Sequence, residues 1–108
     1  MSIKKIDDRF ATSPQLTVED VAQLASEGYV AIVCARPDNE EPGQPDFDVI
    51  AREAEKHGMQ AIHIPMTGAP SPEQIAEFQK AMSAIEGPVV GYCRGGGRAS
   101  ALYSAIGA

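Results

Sequence analysis

Between Gly28 and Arg36 the chain reads YVAIVCA, an uninterrupted apolar run that is too short for a buried helix. A half-exposed strand would alternate apolar and polar residues. A continuous run of this length marks a strand covered on both faces, which requires helices on either side of its sheet. The flanking sequence supplies them. Thr17 opens TVEDVAQLASEG as an N-cap, with Asp20 three residues on and Gly28 as the stop. Val18, Val21, Ala22, Leu24 and Ala25 form that helix's apolar face. DFDVIAREAEKHG reads as a second helix ended by Gly58, and Pro72–Ile85 as a third, capped by Ser71 with Pro72 at its first position. MQAIHIPM and GPVVGYC repeat the strand pattern, KKIDDRFAT gives a weaker first strand, and RASALYSAIGA closes the chain as a helix. Strands alternating with helices predict a three-layer α/β/α fold on a mainly parallel sheet of about four to five strands. With no internal repeat or linker-like break, residues 1–108 are read as one domain, large enough to bury a core without disulfides or metals.

The formal charge of −6 argues against a general nucleic-acid or anionic-membrane surface, so neither is expected as a partner. No apolar stretch is long enough to span a bilayer, and the polar start MSIKKIDDRF is read as no signal peptide. Two cysteines, Cys34 and Cys93, suit a reducing cytoplasm better than a disulfide framework. Their spacing from His57 and His63 makes no metal site, and neither GxxxxGK[ST] nor GxGxxG occurs. No metal and no cofactor is expected.

In parallel α/β sheets, ligands bind outside the carboxyl ends of the strands. That rule gathers ARPDNEE, PMTGAP and CRGGGR on one edge. The last of these is the most informative. Cys93 ends an apolar strand, three glycines follow, and Arg98 stands where a helix begins. A glycine-rich turn lets successive amides converge on an anion, and the helix adds the positive end of its dipole. A thiol in that field is expected to ionise more readily than a free cysteine, whose pKa is about 8.5. Arg98 is placed to grip two oxygens of a bound oxyanion. Gly95, Gly96 and Gly97 provide the conformations such a cradle needs. The arrangement predicts a Cys93 nucleophile facing a tetrahedral anion held for in-line attack.

Other residues at this edge carry two readings each. Arg36 is either a substrate contact or an ion-pair partner of Glu40 or Glu41. Asp38 is either a proton donor or a turn-former. Arg94 either recruits the anion or stays solvated. Ser100 either bonds the sulfur or leaving group across the first helical turn, or packs the helix on the sheet. Cys34, inside an apolar strand, is expected to be a buried inert thiol. His57 suits a helix end, and His63, between Ile62 and Ile64, is expected to face the core.

Three segments together, SPQLTVEDVAQLASEGYVAIV, ARPDNEEPGQPDFDVIAREAEKHGMQAIHIPM and GPVVGYCRGGGRAS, resemble the beta-lactamase-hydrolase-like phosphatase-like family, small bacterial domains of the cysteine phosphatase superfamily. The resemblance covers nearly the whole chain. It implies a protein tyrosine phosphatase-like fold, with Cys93 as nucleophile and Arg98 as oxyanion binder; Arg36, Arg94, Gly95, Gly96, Gly97, Ala99 and Ser100 are expected around the substrate from their place at this edge. The substrate is then a phosphorylated small molecule or phosphoprotein. Protein tyrosine phosphatases generally place five residues between cysteine and arginine, whereas Cys93 and Arg98 enclose four. Relatives often carry serine or threonine inside the loop where this chain has glycine. The usual aspartate general acid is missing from HIPMTGAPSPEQ, which leaves Asp38 to serve. CRGGGR also resembles the six-residue loop of single-domain rhodaneses, which implies the alternative of sulfur transfer through a Cys93 persulfide, with a sulfur donor or acceptor as partner. A third reading is a catalytically silent module that binds anions or a partner.

Overall fold

The computed structural model describes residues 1–107. The element order is β1 (Lys4–Lys5), β2 (Phe10–Ser13), α1 (Val18–Ser26), β3 (Ala31–Cys34), α2 (Phe47–Lys56), β4 (Gln60–His63), α3 (Pro72–Ala84), β5 (Val89–Tyr92) and α4 (Gly97–Ala105). The strands form one sheet in the order β1-β2-β5-β3-β4, with β1 antiparallel to β2 and the other pairings parallel. The expected α/β/α architecture is present.

Side-chain alternation divides the core. Phe10, Val33 and Val89 face one layer with Phe78, Met82, Leu102 and Tyr103 of α3 and α4. Ala11, Ile32 and Val90 face the other with Val21, Leu24, Ile50 and Ala54 of α1 and α2. Both expected capping boxes form. Thr17 Oγ1 accepts the Asp20 amide while the Asp20 carboxylate accepts that of Thr17, and Ser71 and Gln74 do the same at α3.

The single first strand expected over KKIDDRFAT is instead a hairpin. Asp7 Oδ1 accepts the amides of Arg9 and Phe10 at 2.8 and 2.9 Å, turning the chain so that β1 folds back on β2. Arg9 then reaches across to the carbonyls of Met82, Ile85 and Gly87, closing the end of α3. The closing segment forms α4 as expected, although its last residue, Ala108, lies outside the described residues.

Gly91 sets how closely α4 lies on the sheet. A Cβ there would stand 2.5 Å from Phe10 Cζ and 3.0 Å from the Ala99 Cβ. The Phe10 ring cannot retreat, because it stacks on Tyr103 at 4.4 Å and meets Phe78 edge-on at 5.6 Å. Gly91→Ala should therefore lower unfolding free energy by about 1–3 kcal/mol through overpacking. A urea midpoint equal to that of the unmodified protein would show that this approach is not tightly packed.

Candidate active site

The four parallel strands end in register. Ser13 lies opposite Tyr92, Tyr92 opposite Cys34, and Cys34 opposite His63. The loops that follow leave from one edge, which brings ARPDNEE, PMTGAP and CRGGGR together as the topology requires.

Cys93 continues the alternation of β5 and faces the layer of α3 and α4. Its amide donates to Ser13 O at 3.3 Å, extending the pairing with β2 by one residue. Its Sγ accepts the Gly96 amide at 3.0 Å. Gly96, with φ of 94°, is the N-cap of α4, and its carbonyl accepts the Ser100 amide as the helix starts. The amides of Gly97, Arg98 and Ala99 fall in that first turn, where a helix offers them no carbonyl. Cys93 is only 1% exposed and joins the apolar cluster of Val33, Ala99 and Leu102. The sulfur lies under the loop, between the core and the amide that points at it.

Arg98 is not turned into solvent. Nη1 donates to Glu40 Oε2 at 2.8 Å and to Met66 O at 2.7 Å, and Nη2 donates to Glu40 Oε1 at 2.9 Å. These bonds use three of the five guanidinium hydrogens. The remaining two, on Nε and Nη2, are parallel along one edge of the plane. The Glu40 hydrogen bonds raise the Arg98 pKa against the opposing effect of burial, and the neighbouring Cys93 sulfur adds to the rise.

Arg36 is fully buried, which corrects its expected place among the substrate contacts. It pairs with both acids weighed as partners. Nε donates to Glu40 Oε1 at 2.8 Å, Nη2 to Glu41 Oε1 at 3.0 Å and Nη1 to Gln15 Oε1 at 3.0 Å. Glu41 Oε2 also meets the exposed Arg94 at 3.1 Å. Arg94, Arg98, Glu40, Glu41 and Thr67 line an open cleft of about 330 Å³.

Asp38 stands elsewhere. Its Oδ1 accepts the Phe47 amide at 2.8 Å, capping α2 in place of Asp46, whose side chain makes no cap bond. That is the turn-forming alternative, and the carboxylate does not line the cleft. Ser100 lines a separate groove of about 230 Å³ with Gly95, Gly96, Gly97, Lys4 and Thr12. Ala99 is buried, in line with the close approach at Gly91, so only its backbone remains for a ligand. Cys34 faces the opposite layer from Cys93; burial pushes its thiol pKa up, and its Sγ contacts Arg36 O at 3.4 Å. His63 is half-buried rather than in the core. It stacks on Phe47 at 4.5 Å and, by donating Nε2–H to Arg36 O at 2.7 Å, steadies the backbone after β3. His57 meets Glu53 at the end of α2.

Sequence reasoning had no role for Gln15, Met66 O or Thr67, and treated Glu40 only as a partner for Arg36. A run of two glutamates after a strand gives no sign that one will cross to an arginine 58 residues away.

A cysteine and an arginine flank a glycine turn between strand and helix on this sheet, and the chain shares a protein tyrosine phosphatase-like fold with the solved structures it resembles. Residues 2–108 match the family described as "Beta-lactamase hydrolase-like protein, phosphatase-like domain", and the chain belongs to it. It is 38% identical over 104 residues to the beta-lactamase hydrolase-like protein of Agrobacterium fabrum and 36% identical over 105 residues to that of Xylella fastidiosa strain Temecula1. These matches cover 95% and 96% of this chain but 24% of each relative, so the chain spans about a quarter of their length. Among solved structures it resembles a candidate phosphatase from Neisseria meningitidis, at 39% identity and TM-score 0.85, covering 95% of this chain and 74% of the other. Tk-PTP in its active form is 31% identical with TM-score 0.69, covering 88% and 63%. A second candidate phosphatase, from Shewanella putrefaciens, is 19% identical with TM-score 0.81, covering 94% and 64%, and supports the fold alone.

Among the described residues no group of three or more His, Cys, Asp or Glu is arranged to hold a metal ion, and no helix is long and apolar enough to cross a membrane.

The Arg98 hydrogen bonds hold the Glu40 carboxyl below the usual carboxylate range, with Arg36 contributing further. A carboxylate whose pKa is lowered by folding stabilises the fold above its unfolded pKa of about 4.3, and loses that contribution as pH falls through the lowered value. Glu40→Gln should therefore be less stable than the unmodified protein at pH 6–7, with the gap closing below about pH 4. Urea unfolding across this range checks it, and a gap that does not change with pH would show that Glu40 is not acting as a charge.

Proposed function

We propose that this domain hydrolyses phosphate monoesters through a phosphocysteine at Cys93. The Cys93 thiolate attacks phosphorus in line as the P–O bond to the leaving group breaks and the leaving oxygen takes the bonding pair. Water then attacks the same phosphorus and breaks the S–P bond, releasing inorganic phosphate and returning the sulfur. Equatorial oxygens carry the charge of both transition states, and donors fixed in advance stabilise them. The observation that carries this reading is the partition of the Arg98 hydrogens. Glu40 and Met66 O take three, leaving one two-hydrogen edge, which matches two phosphoryl oxygens. First-turn amides of α4 supply the remaining donors.

Access to the sulfur needs movement. At 1% exposure Cys93 is roofed by its loop, and Gly95–Gly97 lift at little steric cost to admit the phosphoryl group. The substrate is a phosphorylated small molecule or a phosphorylated side chain. Family membership and resemblance to phosphatases raise the reading above persulfide chemistry, which no feature of the structure favours over it.

The leaving group's proton has no evident source. Glu40 and Glu41 are tied to arginines, and Asp38 caps α2. General acids contribute about 10²–10⁴-fold, and a phenolate leaves without one. Aryl phosphates should therefore outpace alkyl phosphates by about 10²-fold or more.

The test is phosphate release from p-nitrophenyl phosphate and from glycerol 2-phosphate. Cys93→Ser should abolish turnover, and Arg98→Lys should lower kcat by about 10²–10³-fold. Turnover that survives Cys93→Ser would overturn the mechanism. Thiocyanate formation from thiosulfate and cyanide without phosphate release would replace it with sulfur transfer.

A further inference from the structure

We infer that Arg36 is a positioning residue that fixes both arginines of the cysteine loop through a pair of carboxylates; this rests on the phosphatase reading above.

A guanidinium removed from water needs paired, hydrogen-bonded partners, and breaking a buried pair is costly. Arg36 meets that demand with Glu40, Glu41 and Gln15, each on a different nitrogen. Its backbone is pinned as well, because its carbonyl accepts from His63 Nε2 and contacts Cys34 Sγ. The two glutamates then each serve a second arginine. Glu40 spans Nη1 and Nη2 of Arg98, and Glu41 meets Nε of Arg94. A single buried cation thus sits behind two half-exposed anions, and each anion holds one arginine of CRGGGR.

Along the Arg36–Glu41–Arg94 arm exposure rises steadily toward the cleft, while Arg98, at 18% exposed, is about as buried as the Glu40 that holds it. Arg36 has no exposed side-chain surface, Glu40 and Glu41 are 24% and 38% exposed, and Arg94 is 71% exposed. The fixed end lies in the protein and the adjustable end at the cleft. A carboxylate held only by Arg98 would swing with it. Held also by Arg36, it becomes a mount that sets the plane of the Arg98 fork and hence where its unused edge points. Arg36 touches no substrate in this arrangement; it acts through Glu40, and Glu41 does the same more loosely for Arg94.

Two readouts test this, one independent of turnover. In the first, the Nη1 and Nη2 hydrogens of Arg98, which bond Glu40 and Met66 O, are followed by NMR in the unliganded protein, with Arg98→Lys used to assign the signal. A mounted fork should give a slowly exchanging, shifted resonance, and Arg36→Met should return it to the position of a solvated arginine. Arg36→Lys, which keeps the charge but cannot make the three-way contact, should give the same loss and serves if the methionine variant does not fold. An Arg98 signal unchanged in a folded Arg36 variant would overturn the inference.

The second readout is a double-mutant cycle on p-nitrophenyl phosphate hydrolysis. Misplacing a catalytic group by about 1 Å can cost about 10²-fold, so Arg36→Met or Arg36→Lys should lower kcat by about 10–100-fold. In an Arg98→Lys background the same change should cost less than about 3-fold, because no planar fork remains to be oriented. Equal factors in both backgrounds would mean a merely structural role and would also overturn the inference. If the unmodified protein has no phosphatase activity, the function proposed above fails, and the NMR readout alone decides whether Arg36 mounts Arg98.

Discussion

Glu40 stands between two guanidiniums, and the organisation of the edge depends on that bridge. Without it Arg36 would lose one of its two carboxylate partners, and Arg98 would be held by Met66 O alone. The bridge also joins parts of the chain that share no secondary structure, the loop after β3 and the start of α4. That loop has few regular hydrogen bonds of its own. Gln44 compensates by accepting the amides of Glu40 and Glu41 and donating to Pro37 O, while Asp38 ties the loop to α2. Asn39 takes φ of 64°, a conformation asparagine tolerates better than most residues. The acids are therefore presented by a braced backbone, and the ion pairs inherit that bracing.

Cys34 and Cys93 show how placement separates one residue type into two kinds. Both are buried, Cys34 at the end of β3 and Cys93 one residue past the neighbouring β5. Cys34 points into the layer of α1 and α2, where burial disfavours its thiolate. Cys93 points the other way and stands one residue past its strand, where the helix starts. It receives an amide hydrogen bond there and has Arg98 for a neighbour. A one-residue shift in register would exchange the faces and take the sulfur from the helix terminus.

The parts of the fold legible in the sequence were those set by local rules. The unbroken run at Tyr29–Ala35 implied a sheet covered on both sides, and Thr17 and Ser71 marked helix starts that form with the expected boxes. The cysteine loop was found because strand, glycines, arginine and helix are contiguous. What stayed hidden was carried by contacts between distant segments. The hairpin at Asp7 depends on a side chain accepting two amides, and a weak apolar pattern does not reveal it. The mount of Arg98 joins residues 40, 66 and 98, and no periodicity links them. Arg36 was legible as an ion-pair partner of Glu40 or Glu41, but its complete burial follows only once Gln15, Glu40 and Glu41 converge on it. Asp38 attracted attention as an acid through its place in RPDNEE, yet a short side chain in a turn is as readily drawn to a nearby helix start.

The three glycines of the loop are unequal, and their differences bear on how the loop works. Only Gly96 has a positive φ, so it alone needs glycine for its backbone. A Cβ at Gly95 or Gly97 would meet nothing within 4 Å, so a serine or threonine would fit there without strain. Their absence has to be explained by something other than space. Glycine lowers the stability of ordered backbone by about 0.5–1 kcal/mol relative to alanine, which makes a loop built of three of them easy to disorder. The proposed attack by Cys93 calls on that softness, because the sulfur lies beneath its own loop. Arg98 and its mount hold the far end of the loop, Ser13 O holds the near end at the Cys93 amide, and between them the Gly96 amide bonds Cys93 Sγ. Under the proposed phosphocysteine mechanism, rigid ends with a yielding middle would admit a phosphoryl group while the Arg98 guanidinium keeps its orientation.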